Sequence, residues 1–257
     1  DQYNQKIQKT KRNYGFNPEK SLYKLLDEEL GITYLDGNSE KPQEKAFIIL
    51  KTKGKRFARK ELGNISKKAC QQAGISKHKQ ELKIDKETKY EAFRLPSKYL
   101  FGQIFGSIFQ GISNQYFTFV ENYVIFSDSP EMLEKFIHSN ILNKTITNDH
   151  QYQQFTDYIS GKSNFHFYSN MYRSPRLISS YFNQNIKQGV QKNIKQIRKF
   201  QAIAYQIMGN ENMIYNNIFI KYIPEIDNDP QTIWECHLDT TIDMKPALVT
   251  NHYTGEN

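Results

Sequence analysis

The side chains best placed to do chemistry in this sequence are His166 and Tyr168, which lie in an alternating stretch at residues 163–169. The alternation predicts a strand with Phe165 and Phe167 on one face and the polar side chains on the other. A histidine beside a tyrosine can contact a ligand or move a proton near neutral pH. His166 and Tyr168 are therefore candidate ligand contacts, although a hydrogen-bonded surface histidine is the interpretation that we favour.

The other reactive side chains lack the spacing that catalysis or metal binding requires. Cys236 and His237 are adjacent, so on a strand they point to opposite faces and cannot act as a dyad. The six histidines and two cysteines include no His-x-x-x-His and no Cys-x-x-Cys pair. The sequence predicts no catalytic residue, no metal ligand and no cofactor, and we expect Cys70 and Cys236 to be free, buried thiols.

A run of basic residues is the strongest electrostatic feature. Its members, called the basic patch below, are Lys51, Lys53, Lys55, Arg56, Arg59 and Lys60. Such a patch could contact the phosphates of nucleic acid or an anionic lipid surface. Phe57 is the one aromatic residue within the run, and no helix-turn-helix, RNP or zinc-finger pattern accompanies it. We therefore favour the solvated face of an amphipathic helix, and nucleic acid is a disfavoured partner.

The charge and composition of the chain bound its class. Residues 1–100 hold 23 Lys/Arg and 13 Asp/Glu, whereas the remaining residues hold 12 and 14, so the net charge of +8 is assigned to the N-terminal part. Seventeen Phe and seventeen Tyr supply enough apolar area for a core, which argues against disorder. No apolar run approaches the roughly 20 residues that cross a bilayer. We therefore expect a folded domain with no transmembrane segment in this chain.

The elements that must position these residues follow from periodicity and turn signals. Residues 1–16 are polar with little periodicity and predict a frayed arm or linker. Asn17 and Pro18 open a helix that Gly31 closes, and a strand follows at residues 32–35. Further strands are predicted at 46–51, 81–85, 90–95, 116–120, 123–127, 163–169, 200–208 and 213–222. Further helices are predicted at 55–73 and beginning at 130, 149 and 175.

Two Ser-Pro pairs open similar segments. Residues 129–137 and 174–182 each follow a predicted strand, and their apolar residues lie at matching offsets. Two related strand–helix units would explain the match, whereas the preference of Ser-Pro for helix starts explains it without a repeat.

The last 24 residues predict the beginning of a further region. Two short apolar runs follow Trp234, and a Thr-Gly turn at residues 254–255 leaves only two residues for a second strand. A hairpin without its second strand leaves backbone groups unpaired, so we expect the natural protein to continue. Residues 224–230, rich in acids and prolines, predict a linker before this tail.

The stretch Glu121-Asn-Tyr-Val-Ile-Phe-Ser-Asp-Ser129, the helices after it and Ser163-Asn-Phe-His-Phe-Tyr-Ser-Asn170 resemble a group of bacterial cell-envelope proteins. The resemblance covers residues 90–257 and rests on packing and turn residues. It implies an α+β region, preceded by a signal or anchor and followed by a β-propeller-like region. The tail from Trp234 to Gly255 looks like the entry into a first blade. No catalytic residues are implied.

The sequence as a whole predicts an α+β fold of antiparallel hairpins, with amphipathic helices packed mainly on one face. Its regions are an arm at 1–16, a domain at 17–223, and a linker with the start of a β-rich region at 224–257. We expect a non-catalytic scaffold or interaction domain of an extracytoplasmic envelope protein. Its partner would be another protein or its own C-terminal region. The alternative is binding of an anionic surface, nucleic acid or lipid, through the basic patch.

Overall fold

A computed structural model describes residues 2–35, 42–84, 89–210 and 212–222 of the chain. The chain divides into two units, Asp1–Pro224 and Glu225–Asn257, and every described residue belongs to the first. The predicted linker at 224–230, the tail after Trp234 and Cys236 therefore lie outside the described residues.

Helices and antiparallel strands alternate in the described residues, which confirms the predicted α+β class. The α-helices are α1 Gln2–Tyr14, α2 Pro18–Leu25, α3 Lys55–Gln72, α4 Leu100–Ile104, α5 Pro130–Ile141, α6 His150–Thr156, α7 Pro175–Ser180, α8 Gln184–Lys192 and α9 Ile194–Ile197. The strands are β1 Leu26–Tyr34, β2 Ala46–Thr52, β3 Lys79–Leu82, β4 Tyr90–Arg94, β5 Tyr116–Val120, β6 Tyr123–Ser127, β7 Phe165–Asn170, β8 Phe200–Asn210 and β9 Met213–Tyr222. Short 3-10 turns cover Pro42–Lys45, Ser107–Phe109 and Ile146–Asn148.

The larger sheet has six strands in the order β1-β2-β6-β5-β4-β3, and every neighbouring pair is antiparallel. Side chains of α1 to α4 join the main core on one face, where Phe101 of α4 packs against Phe126 of the sheet, and Phe126 packs against Phe117. Leu133 and Ile137 of α5 cover the opposite face. Both faces of the central strands are thus buried, which explains their nearly continuous apolar sequence. The helices lie mainly on one face, as predicted.

A second, smaller sheet has the order β7-β8-β9, again antiparallel. Its inner face carries Ala202 and Ala204, which are buried beneath Phe155 of α6. The long β8–β9 hairpin confirms the strands predicted at 200–208 and 213–222 and pairs them. Helix α6 covers this inner face, whereas Phe167, Ile218 and Ile220 on the other face are exposed.

The prediction of a frayed arm at residues 1–16 is wrong, because residues 2–14 form helix α1. Ile7 and Thr10 are buried, and α1 contacts both α3 and α4. The Thr10 hydroxyl donates a hydrogen bond to Gln103 Oε1 at 3.2 Å. Ile7 is one of few apolar residues in the helix, so its sequence shows little periodicity and its helix depends on tertiary packing.

The helix predicted to run from Pro18 to Gly31 ends earlier, at Leu25. Its start is as predicted, since the Asn17 side chain accepts a hydrogen bond from Lys20 N at 3.0 Å. Leu26 and Leu30 belong to β1 and pair with β2. Their spacing fits a helix as well as a strand, and pairing with the strongly apolar β2 decides in favour of the strand.

The two Ser-Pro pairs open α5 and α7, each after a strand, as predicted. The Ser129 side chain caps α5 by accepting a hydrogen bond from Met132 N at 3.3 Å. The Ser174 hydroxyl instead contacts Ser169 and donates to the backbone carbonyl of Asn170, so it makes no cap. The two strand–helix units therefore share their element order but differ in the bonds that begin the helix.

Candidate functional site

The structure divides the basic patch between paired and unpaired cations. Lys51, at the end of β2, lies 3.0 Å from Glu29 Oε1, and Arg59 Nη2 lies 2.6 Å from Glu91 Oε2. Glu91 also accepts a hydrogen bond from Lys79 at 2.9 Å. These ion pairs neutralise part of the predicted patch. Within the described residues, no carboxylate pairs with the exposed cations Lys53, Lys55, Arg56 and Lys60.

A cleft of about 230 Å³ lies between the start of α3 and the edge of β4, with Lys55, Arg59 and Lys89 among its lining residues. Glu91 also lines this cleft. The hydrogen bond from Lys79, which has the larger effect, and the one from Arg59 lower the pKa of its carboxyl. Glu91 is therefore an anion held by two cations, and it is unsuited to donate a proton near neutral pH. The arrangement links α3 to the sheet.

His166 takes part in a hydrogen-bond network with Gln206, its partner across the β7–β8 pair. The buried Gln206 amide donates to Ser160 O at 2.7 Å and lies 3.2 Å from His166 Nδ1, while its Oε1 accepts from Ser160 N at 3.0 Å. Burial lowers the pKa of His166. A neutral ring with its proton on Nε2 satisfies this geometry, because Nδ1 then accepts from the amide. His166 thus ties β7 to β8 and to the loop after α6.

Tyr168 lies on the same face of β7 as His166, but its ring packs beneath α6. Its centroid is 4.8 Å from that of Tyr152 and 5.3 Å from that of Phe155. Burial is the main cause that raises the pKa of Tyr168, to about 12. Tyr168, on the face predicted to be polar, is therefore packed, whereas Phe167 on the other face is exposed. Burial in this cluster gives the Tyr168 ring a packing role.

The outer face of the smaller sheet is a feature that the sequence reasoning missed. We define it by Phe167, Ile203, Tyr205, Ile214, Ile218 and Ile220. The strand register places Phe167 beside Tyr205 and Tyr205 beside Ile218, while Ile203 lies beside Ile220. Ile218 is 65% exposed and Ile220 is 50% exposed. The sequence signal for this face is the spacing of two residues between Ile214, Asn216, Ile218 and Ile220. It is obscured because the other side of β9 is also largely apolar, so the strand shows no clear alternation of apolar and polar residues.

No charged side chain stands on this outer face. The remaining positions that the register assigns to it are Phe165, Ser169, Phe200, Ile207, Gly209, Asn216 and Tyr222. The Tyr205 hydroxyl donates a hydrogen bond to Asn216 Oδ1 at 2.8 Å within the face, and the buried Ser169 hydroxyl at one end contacts that of Ser174. Single exposed apolar side chains are common on protein surfaces, whereas a contiguous, uncharged apolar surface of this kind often marks an interaction site.

The described residues also lack a metal-binding group and a membrane-spanning helix. In the described ranges, no three His, Cys, Asp or Glu side chains form a group that could hold a metal ion. Among the helices of the same part of the chain, none is long and apolar enough to span a bilayer. Cys70 is free and buried, as predicted.

Comparison with known proteins gave one match. A family model described as protein of unknown function (DUF3352) matches residues 1–232. No curated protein and no solved structure matches the chain. The family match includes the first 90 residues, for which the sequence had suggested no resemblance. Function must therefore be argued from the side chains of this chain.

Proposed function

The chain belongs to the family described as protein of unknown function (DUF3352). Since that description gives no role, we propose one from the surface of this chain. The chain is a non-catalytic interaction domain of a bacterial cell-envelope protein. Its interaction site is the outer face of the smaller sheet. The exposure of that uncharged apolar face is the observation that carries the proposal.

Burial of the outer face would release a large free energy. Covering one exposed isoleucine contributes about 1.5–3 kcal/mol, and Ile214, Ile218 and Ile220 are each at least half exposed. Nucleic acid and lipid headgroups are attracted by cations, which this face lacks. A protein partner with an uncharged apolar surface, such as the apolar side of an amphipathic helix, complements it best.

The envelope location rests on the resemblance of residues 121–170 to extracytoplasmic envelope proteins. The same resemblance supports a β-propeller-like region after this domain. Both parts of this proposal concern the whole protein.

A photo-crosslinking amino acid placed at position 218 of the whole protein tests the interaction site in the cell. We expect one discrete crosslinked product, because Ile218 lies midway along β9 and its side chain is 65% exposed on the outer face. The same group at position 221 is the control, since Lys221 points to the opposite face. Ile220→Asp should abolish the product from position 218.

The same Ile220→Asp variant should leave the free energy of unfolding of the isolated chain within about 0.5 kcal/mol of the native value, as for other surface substitutions. Equal crosslinking from positions 218 and 221 would contradict the proposed site. So would a loss of more than about 2 kcal/mol in Ile220→Asp, because that would place the outer face in the interior.

A second candidate function is binding of an anionic surface through the basic patch. The observation in its favour is that Lys53, Lys55, Arg56 and Lys60 are exposed and have no carboxylate partner in the described residues. Chromatography on immobilised heparin, a general polyanion, tests it. The double variant Arg56→Gln/Lys60→Gln should elute at a lower salt concentration than the native chain, and unchanged elution would remove this candidate.

A further inference from the structure

A second basic region lies in the C-terminal half of the described residues. Between Tyr158 and Asn210 the sequence has eight Lys/Arg and no Asp or Glu. Acidic residues on both sides of this stretch cancel its positive charge when the charges of residues 101–257 are summed. The assignment of basic charge to the N-terminal part alone is therefore wrong. Five of the eight cations lie between Lys187 and Lys199, and within the described residues no salt bridge joins any of the eight to a carboxylate.

Helix α8 presents two of these cations, Lys187 and Lys192, beside exposed apolar side chains. The Asn183 side chain begins the helix by accepting a hydrogen bond from Ile186 N at 3.1 Å. Phe182 is 53% exposed and Ile186 is 44% exposed, and no residue of α8 is buried. Ile186 and Val190 are one turn apart and share a side of the helix. The helix is therefore amphipathic, basic and open to solvent.

Exposed aromatic rings extend this surface beyond α8. Tyr181, directly after α7, and Tyr172, three residues before it, are each about half exposed, and the Tyr181 hydroxyl contacts that of Tyr34. The Arg198 guanidinium lies over the Tyr172 ring at 5.2 Å from its centroid. Aromatic rings with a polar group at one end favour the boundary between lipid headgroups and acyl chains.

We propose that residues 172–199, called the α7–α9 surface, bind the surface of an anionic phospholipid bilayer. The cations face the lipid phosphates, and the Phe182 and Ile186 side chains enter the boundary with the acyl chains. This surface is distinct from the outer face of the smaller sheet and from the basic patch. A domain held in this way would lie against the membrane by a peripheral contact.

The apolar side chains are the reason to choose lipid over nucleic acid. Both partners attract cations, and aromatic rings can stack on bases. An aliphatic side chain such as Ile186, protruding beside Phe182, gains free energy in the headgroup boundary but none from phosphate contact. The composition of the surface therefore fits a bilayer better than a polynucleotide.

Sedimentation of the 257-residue chain with vesicles tests the proposal. We expect binding to vesicles that contain phosphatidylglycerol, weakening as salt rises, and little binding to pure phosphatidylcholine. Each cation near an anionic membrane contributes about 1 kcal/mol, so Lys187→Gln/Lys192→Gln should weaken binding roughly 25-fold. Phe182→Ser/Ile186→Ser should weaken it at least about ten-fold, through loss of apolar burial.

The matched control is Lys67→Gln/Lys68→Gln, which removes the same charge from exposed positions of α3. Its vesicle binding should remain within about two-fold of native, because charge at a distance from the bilayer is screened. All three variants should keep the native circular dichroism, since the substituted side chains are exposed.

Three results would overturn the proposal. Equal binding to neutral and anionic vesicles would show that charge plays no part in binding. Equal losses of vesicle binding in the Lys187/Lys192 and Lys67/Lys68 variants would show that binding depends on net charge and not on the α7–α9 surface. Native-like vesicle binding by Phe182→Ser/Ile186→Ser, together with tight binding of a single-stranded DNA oligonucleotide, would identify a polyanion site in place of a lipid site.

Discussion

Phe126→Ala is expected to lower the free energy of unfolding by about 3–5 kcal/mol, which is a large part of the stability of a domain. Phe126 is fully buried at the centre of the larger sheet. Its ring centroid lies 4.7 Å from that of Phe101 and 5.4 Å from that of Phe117. Removal of the ring loses its burial and leaves a cavity between α4 and the sheet, which rigid neighbours cannot fill. Chemical denaturation followed by fluorescence or circular dichroism measures the loss.

Phe182→Ala is the matched control for this prediction. It deletes the same ring from a position that is about half exposed, so the free energy of unfolding should change by no more than about 0.5 kcal/mol. A loss below about 1 kcal/mol in Phe126→Ala would contradict the central place of this ring in the core.

Asn114→Ala is the second change with a large expected effect, a loss of about 3 kcal/mol in the free energy of unfolding. Asn114 is fully buried before β5. Its Oδ1 accepts hydrogen bonds from Leu100 N at 2.6 Å and Phe101 N at 3.3 Å, and its Nδ2 donates to Ser97 O at 2.8 Å. The first amides of a helix have no partner within it, so this side chain caps α4 from a distance.

Substitution by alanine would leave two buried amides and one carbonyl without partners, since the site is closed to solvent. Denaturant unfolding measures the effect, with Asn185→Ala as the control because Asn185 is exposed on α8. The control should change the free energy of unfolding by less than about 0.5 kcal/mol. Equal stability of Asn114→Ala and the native chain would show that the three bonds do not support α4.

The parts of the fold that the sequence predicted are those that local signals determine. The β5–β6 hairpin is an example, because apolar runs on both sides of Glu121 and Asn122 leave room only for a tight turn. Even there the detail depends on the folded chain, since Glu121 adopts the left-handed conformation with φ of 50°. Caps at Asn17, Ser129 and Asp149 were likewise visible as residues that precede helices.

The parts that the sequence did not predict depend on partners distant in the chain. Helix α1 is stabilised by contacts with α3 and α4, and no periodicity in its own residues indicates that contact. The split of the basic patch depends on Glu91, which is 32 residues from Arg59. The residues of the outer face can be identified only from the strand register, because a shift of one residue would place Phe219 on that face in the position of Ile218.

Cys70 lies on the buried side of α3, where its Sγ is 3.4 Å from the backbone carbonyl oxygen of Arg94. Burial raises the pKa of this thiol, so the thiolate that attacks disulfides and oxidants is scarce in the folded chain. A thiol held in this way neither exchanges with small disulfides nor links one copy to another. The folded domain can therefore pass between reducing and oxidising surroundings with its Cys70 sulfur unchanged.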